Sequence, residues 1–297
     1  MSPTLVGVGR WSEHLSGAWT PGAVTGRAAP TVVPVHEPSP LPRSVLLALW
    51  LDSPAPEPAV LLRAVQGDDE PHTVHGLDGA DDPAPSDAAP LARLVAEVLA
   101  GPHQVAALLP APGEPAPMTG RLAGLAADQG EALLLRTPTR ALAAVPEVVR
   151  FGSEREHGHL VTWHVVDVPD WRTAVLGGVG SLQDAERALR EGLVEATEAL
   201  TRLDVARWRP DAAGRIEAAR DGALRPGLVP DGLDARRARV LTSALRLRAI
   251  VRLATEDDGA AVNLWQVDQR STALREVDRS ARRAMAAAAT SDLRTPS

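Results

Sequence analysis

The sequence predicts an α+β protein: an N-terminal mixed strand and helix domain over residues 1–178, then a C-terminal antiparallel α-helical bundle over 179–297. Three observations carry this. Before the stretch Gly177-Gly178-Val179-Gly180-Ser181, short apolar runs alternate with Pro- and Asp-rich loops; beyond it, apolar residues keep a 3–4 spacing over long segments. Charge changes at the same place, from 11 Arg against 20 Asp+Glu in the first 180 residues to 20 Arg against 18 afterwards. All eight His lie on the acidic side of that boundary.

The first 42 residues hold seven Pro and read as partly irregular. Ser44–Leu51 and Ala59–Val65 are short apolar runs bounded by Pro and Asp, the pattern of buried strands, and His72–Leu77 adds a third strand to a meander. Leu91, Leu94, Val95 and Val98 give Asp87–Ala100 a helical face that stops at Gly101. Gln104–Leu109 reads as a strand, Met118–Gln129 as a helix and Glu131–Arg136 as a strand. His159–Val168 is the clearest strand: Val161, Trp163 and Val165 share one face, and Thr162, His164 and Val166 share the other.

In the second part, Ser181 is an N-cap for a helix marked by Leu182, Ala185, Leu189, Leu193, Ala196, Leu200 and Leu203. Glu186→Arg190 and Glu198→Arg202 are acid-before-base pairs at i,i+4. A shorter helix is expected over Asp211–Asp221. Leu233–Thr255 aligns Val240, Ala244, Leu247, Val251 and Ala254, and Asp257-Asp258-Gly259 makes a turn. A last helix over Ala260–Ala288 aligns Val267, Leu274, Val277, Ala281, Ala284 and Ala288. These helices form the expected bundle.

The composition excludes whole classes of chemistry. The chain has no Cys and no Tyr, and all 31 of its basic residues are Arg. Thiolate nucleophiles, Cys-ligated metals, Schiff-base or P-loop lysines and catalytic tyrosines are therefore absent. Depletion of residues with A/T-rich codons beside abundant Ala, Gly, Arg and Pro is the signature of a high-G+C genome. With aromatic residues at 3%, Leu, Val and Ala must fill the core, and the seven Trp become its anchors. The longest apolar run, Val45–Leu51, is too short for a membrane span. No signal peptide is evident, so a cytoplasmic location is expected.

The strongest candidate for a ligand site is the histidine-rich strand. His157, His159, Trp163 and His164, near Glu154, Glu156 and Asp167, are the residues that a small molecule would meet in a pocket between the two halves. His157 and His159 are expected in a hairpin turn beside Gly158. Their spacing matches neither a cupin-like nor an HxHxDH metal pattern, so neither metal nor cofactor is expected. Gly177–Ser181 lacks the GxGxxG spacing of a dinucleotide loop and reads as a joint leading into an N-cap. No GxSxG elbow occurs. Asp69/Glu70 and Asp81/Asp82 lie in Pro/Gly-rich loops and read as solvated turn residues. Nucleic acid is disfavoured by the net charge of −7, since the Arg-rich helices have acidic neighbours.

Leu203–Pro210 together with Leu245–Ala284 (LRLRAIVRLATEDDGAAVNLWQVDQRSTALREVDRSARRA) resembles segments of uncharacterised proteins from high-G+C Gram-positive bacteria. The resemblance covers the last third of the chain and implies a helical half, with no activity to transfer. The expectation is a non-catalytic cytoplasmic interaction or regulatory protein that binds an unknown protein partner or itself as a homodimer. The alternative is an enzyme or small-molecule-binding protein using His159, His164 and nearby carboxylates or Arg.

Overall fold

A computed structural model of the chain describes residues 41–79, 88–114, 118–153, 157–202, 224, 226–256 and 264–293. All of them fall within one compact unit, Glu37–Ser297. The expected helix over Asp211–Asp221 and the turn at Asp257–Gly259 lie outside the described residues, as do the side chains of Trp208 and Trp265.

The described residues open with two helices, α1 (Arg43–Leu51) and α2 (Pro58–Gln66), where two strands are expected from the sequence. Every residue from Ser44 to Leu51 is buried, so α1 presents no polar face whose 3.6-residue period would reveal a helix. Leu and Ala dominate it, and neither has the stiff branched Cβ that favours strands. α2 starts on Pro58, whose fixed φ suits the first turn and whose missing N–H is not needed there.

The strands are β1 (Thr73–His75), β2 (Ala89–Pro90), β3 (Gln104–Leu108), β4 (Ala132–Arg136), β5 (Ala141–Gly152) and β6 (His157–Asp167). They form one sheet in the order β2-β1-β6-β5-β4-β3. Among the described strands, only the β1–β6 pair is parallel. β5 has no counterpart in the sequence expectation because Pro146 interrupts its pattern. Within β5, β4 pairs only with Ala141–Ala144, so Pro146 lies past the end of that ladder and its missing N–H removes no β4 bond. Two residues on, the Val148 N–H donates to Gln129 Oε1 at 3.2 Å, which occupies the same strand edge.

Among the described residues the remaining helices are α3 (Leu91–Leu99), α4 (Gly120–Gln129), α5 (Arg172–Val179), α6 (Leu182–Arg202), α7 (Ala235–Glu256) and α8 (Leu264–Ala288). The sequence expectation leaves Gly177–Ser181 as a joint; Gly177–Val179 form instead the last turn of α5, which ends at Gly180, whose φ is 79°. The fold class is α+β. One sheet face carries the main core, where Leu46 and Leu49 of α1 join Leu133 and Leu135, Trp163 and Val165, Val240 and Leu247, and Ala281 and Ala284. The other face carries a smaller core of Leu122 and Ala126 with Leu134, Val145, Trp171 and Val175. Residues on both sides of position 178 contribute to the main core.

α6, α7 and α8 pack on one another. Gly192 of α6 faces α7, where a Cβ would make an ordinary contact with Leu247 Cδ2 at 3.4 Å. Glu186 reaches Arg236 of α7 at 2.7 Å, joining two helices instead of pairing along its own with Arg190. Arg237 binds Asp52 at 2.5 Å and Arg248 binds Asp278 at 3.2 Å. Beyond α8, the Ser291 N–H donates to the Val105 carbonyl at 2.9 Å, and Ser291 Oγ accepts the Val105 N–H at 2.8 Å. The C-terminal segment thereby covers the β3 edge, which would otherwise offer unpaired backbone groups. Glu131 is buried against the first turn of α1, where its Oε2 accepts the Ser44 N–H at 2.7 Å; burial pushes its carboxyl pKa up. Among the described residues, no helix is long and apolar enough to cross a membrane.

Ser181 caps α6 as expected: its Oγ accepts the Asp184 N–H at 3.1 Å and donates to the Asp184 carboxylate at 2.7 Å. Ser181→Ala removes both bonds and is expected to cost about 1 kcal/mol, read as a lower urea midpoint with an unchanged slope.

Candidate functional site

Strand β6 carries the histidine-rich segment, and its two-residue period sends alternate side chains to opposite faces of the sheet. Trp163 is fully buried in the main core. His159 is four residues away and on the same face; His164 is on the other. The expected turn at His157–His159 is instead strand: His157 pairs with Gly152, Gly158 with Phe151 and His159 with Arg150. Gly158 has a packing reason, because a Cβ there would lie 2.6 Å from Phe151 Cζ. The side chain of His157 lies outside the described residues.

On the core side, the segment meets a polar node centred on Asp69. The Arg43 guanidinium donates to Asp69 Oδ2 from Nε at 2.9 Å and from Nη2 at 2.6 Å. His72 Nε2 lies 3.3 Å from the same oxygen, and His159 Nδ1 lies 3.1 Å from Oδ1. Trp163 Nε1–H donates to His72 Nδ1 at 3.3 Å. That bond fixes the neutral tautomer of His72: Nδ1 accepts, so Nε2 carries the proton and donates to Asp69. Burial disfavours the charged imidazole and lowers the His72 pKa, although Asp69 opposes this. For Asp69 the balance reverses. Burial would raise its carboxyl, but the hydrogen bonds from His72 and Arg43 and their charges hold it at about 2.

Asp69 is thus the hub of the site and not a solvated turn residue, its side chain being only 12% exposed. Arg43, Asp69 and His72 are the members that sequence reasoning misses. Asp69 and His72 precede β1, and no spacing along the chain links them to Arg43 or to β6.

On the opposite sheet face, His164 Nε2 lies 2.8 Å from Glu147 Oε2. His75 of β1 is its register partner, with ring centroids 6.1 Å apart, and Thr73 and Thr162 Oγ1 atoms lie 3.3 Å from each other. The structure therefore brings His159 and Trp163 together through Asp69 and His72, while the sheet separates both from His164. A cavity of about 470 Å³ lies elsewhere, lined by Val175, Leu176, Leu182, Arg237 and Leu293 among others; none of the predicted site residues lines it. Among the described residues, no three His, Asp or Glu side chains gather around a common point in a metal-holding set.

Chemically, the Asp69 node is a saturated polar network. Both carboxylate oxygens accept donors, and the one buried imidazole is used at both nitrogens. Asp–His pairs orient imidazoles for proton transfer in enzymes, yet the same pairing also locks loops in place. Here it ties the start of α1, the segment before β1 and β6 to one another.

Comparison with protein families matches residues 44–176 to the N-terminal domain of Rv1486c-like proteins and residues 183–286 to their C-terminal domain. Neither a curated protein nor a solved structure matches the chain. The likeness is thus not confined to the C-terminal third, where the sequence alone places it, but extends through the sheet and the candidate site. Since the two matches together span most of the sequence, the chain belongs to the Rv1486c-like family.

Proposed function

We propose that this protein is a non-catalytic interaction protein that self-associates through the exposed face of the β5–β6 ladder. One observation carries the reading. Val149, Phe151 and Leu160 are 51%, 41% and 49% exposed, and the strand register puts them side by side. Val149 and Leu160 are direct cross-strand partners, and Phe151, the only Phe in the chain, lies on Gly158 one rung further out. Neighbouring large apolar side chains left in water mark contact surfaces.

A second copy suits this patch because of its charge. The half that carries it is strongly acidic, yet Glu147, the acid on this face of the ladder, is paired with His164. The three patch side chains are themselves apolar, which gives two like-charged copies an area on which to meet, and a two-fold axis would set it against itself. Three side chains supply only part of the ~800 Å² per partner of a standard interface, so the association is weak and reversible. In this reading residues 1–178 carry the contact face and residues 179–297 brace it as an antiparallel bundle. The separate family matches on either side of residues 177–182 support that division. The proposed setting is cytoplasmic.

Sedimentation velocity over a concentration series tests this. The expected result is a monomer–dimer equilibrium that the double substitution Val149→Ser, Leu160→Ser weakens at least tenfold, since each lost contact is worth roughly 1.5 kcal/mol or more. A monomer at all concentrations, or a dimer indifferent to the double substitution, would overturn the self-association reading.

A further inference from the structure

We propose that His72 is a proton-operated latch: a second proton on its imidazole breaks the bond to Trp163 and, in mild acid, releases the segment before β1 from β6. The latch works within one chain and is independent of the self-association reading.

Its geometry suits the neutral ring alone. The His72 side chain has no exposed area. Nδ1 accepts the Trp163 indole N–H at 3.3 Å, and Nε2 lies 3.3 Å from Asp69 Oδ2. An imidazolium donates from both nitrogens, so a proton on Nδ1 sets one N–H against another in a site closed to solvent. Trp163 is fully buried too, and its indole N–H has no water to turn to. One of the two rings must therefore move. The His72 carbonyl accepts the Leu91 N–H at 3.0 Å, so the start of α3 is tied to the same residue.

The charges around the ring set the direction of the response. Asp69 favours the second proton, because it is a negative acceptor beside Nε2. Arg43 of α1 opposes it, since its guanidinium sits on the same carboxylate oxygen at 2.6 Å. His159 of β6 lies 3.1 Å from the other carboxylate oxygen. Trp163, the β6 side chain bonded to the ring, does not titrate. Arg93 of α3 is paired with Asp78, and Glu70 is exposed. Burial outweighs Asp69 and holds the His72 pKa below its ordinary value of 6.5. The opened segment therefore takes up the proton more readily than the closed one. Closure is fully favoured above that ordinary value and loses ground as pH falls from it towards the folded pKa. Each pH unit across the window raises the opening constant by up to about tenfold. Asp69, held at about 2, stays ionised above the acid range in which it titrates itself.

Amide exchange of the full chain from about pH 7.5 down to about pH 5, corrected for the intrinsic exchange rate, is the test. Opening of residues 69–75 and 159–164 is expected to rise by up to about tenfold per pH unit below about pH 6.5, while β3 and β4 stay unchanged. His72→Gln keeps a donor for Asp69 but cannot titrate, so its exchange in those segments should not vary with pH. Should that variant fail to fold, the NMR spectrum of the wild type decides: the Trp163 indole N–H signal must move or broaden together with protonation of the His72 ring. Opening that ignores pH, that rises equally in β3 and β4, or that keeps its pH dependence in His72→Gln would overturn the proposal. So would a His72 ring that gains its second proton while the Trp163 indole signal stays in place.

Discussion

Asp69→Asn is expected to destabilise the protein by about 3 kcal/mol, the lower end of the cost of removing one partner from a buried ion pair. The carboxylate accepts from Arg43, His72 and His159, and its side chain is 12% exposed. An amide keeps one accepting oxygen and turns an NH₂ towards donors on its other side, so the half-buried Arg43 guanidinium loses its charged partner, and either the Arg43 and His72 donors on Oδ2 or His159 on Oδ1 is left without an acceptor. The loss should appear as a reduced urea midpoint. It should also open the start of α1 and the segment before β1, seen as faster amide exchange there than in β3 and β4.

The same node sets an acid limit. The Asp69 pKa is held at about 2, below its unfolded value of about 3.9. A carboxylate with a depressed folded pKa contributes stability that is present above the unfolded value and is lost as pH falls through the folded one. Wild type should therefore lose this contribution between about pH 4 and pH 2. The Asp69→Asn variant carries no such contribution, so the gap between the two proteins should narrow across that window.

Arg282→Met should be of similar size, about 3 kcal/mol, through a second buried network. Arg282 is 8% exposed and donates from Nη1 to the Leu109 carbonyl at 2.5 Å and to Glu114 Oε2 at 2.7 Å. Its Nη2 reaches Glu114 Oε1 at 2.9 Å, and its Nε reaches Asp278 at 2.8 Å. Hydrogen bonding to Arg282, aided by Arg279, holds the Glu114 carboxyl at about 2 against the opposing effect of burial. Methionine fills the space of the aliphatic stem but supplies none of the donors. Arg279 at 2.9 Å still shields Glu114, so the damage should concentrate on the Leu109 carbonyl and the 109–114 segment. Arg282→Lys should recover only part of the loss, because one ammonium cannot reproduce the planar bidentate fork. Thermal unfolding together with limited proteolysis of that segment distinguishes the three proteins.

Local signals decide which elements are legible in the sequence. α3, α6, α7 and α8 have apolar faces at helical spacing, and β6 alternates cleanly, so each can be read from its own residues. α1 cannot, because burial on all sides erases the contrast on which periodicity depends. β5 is hidden by Pro146, which is harmless only because β4 has already ended, a fact of pairing and not of local sequence. The site divides in the same way. His159, Trp163 and His164 stand out as a cluster along the chain, but the strand period splits them between two faces. Asp69, which joins His159 to Trp163 by way of His72, is 90 positions from His159 and has no local mark beyond a loop composition. Its role comes from the sheet order that sets β1 beside β6.

Self-association through the β5–β6 face is tested most directly by hydrogen–deuterium exchange at low and high protein concentration, because that measurement locates the contact as well as detecting it. The expected result is protection that grows with concentration in residues 145–152 and 158–164 and nowhere else on the sheet. Equal exchange in those segments at both concentrations, or growing protection confined to α6–α8, would contradict it.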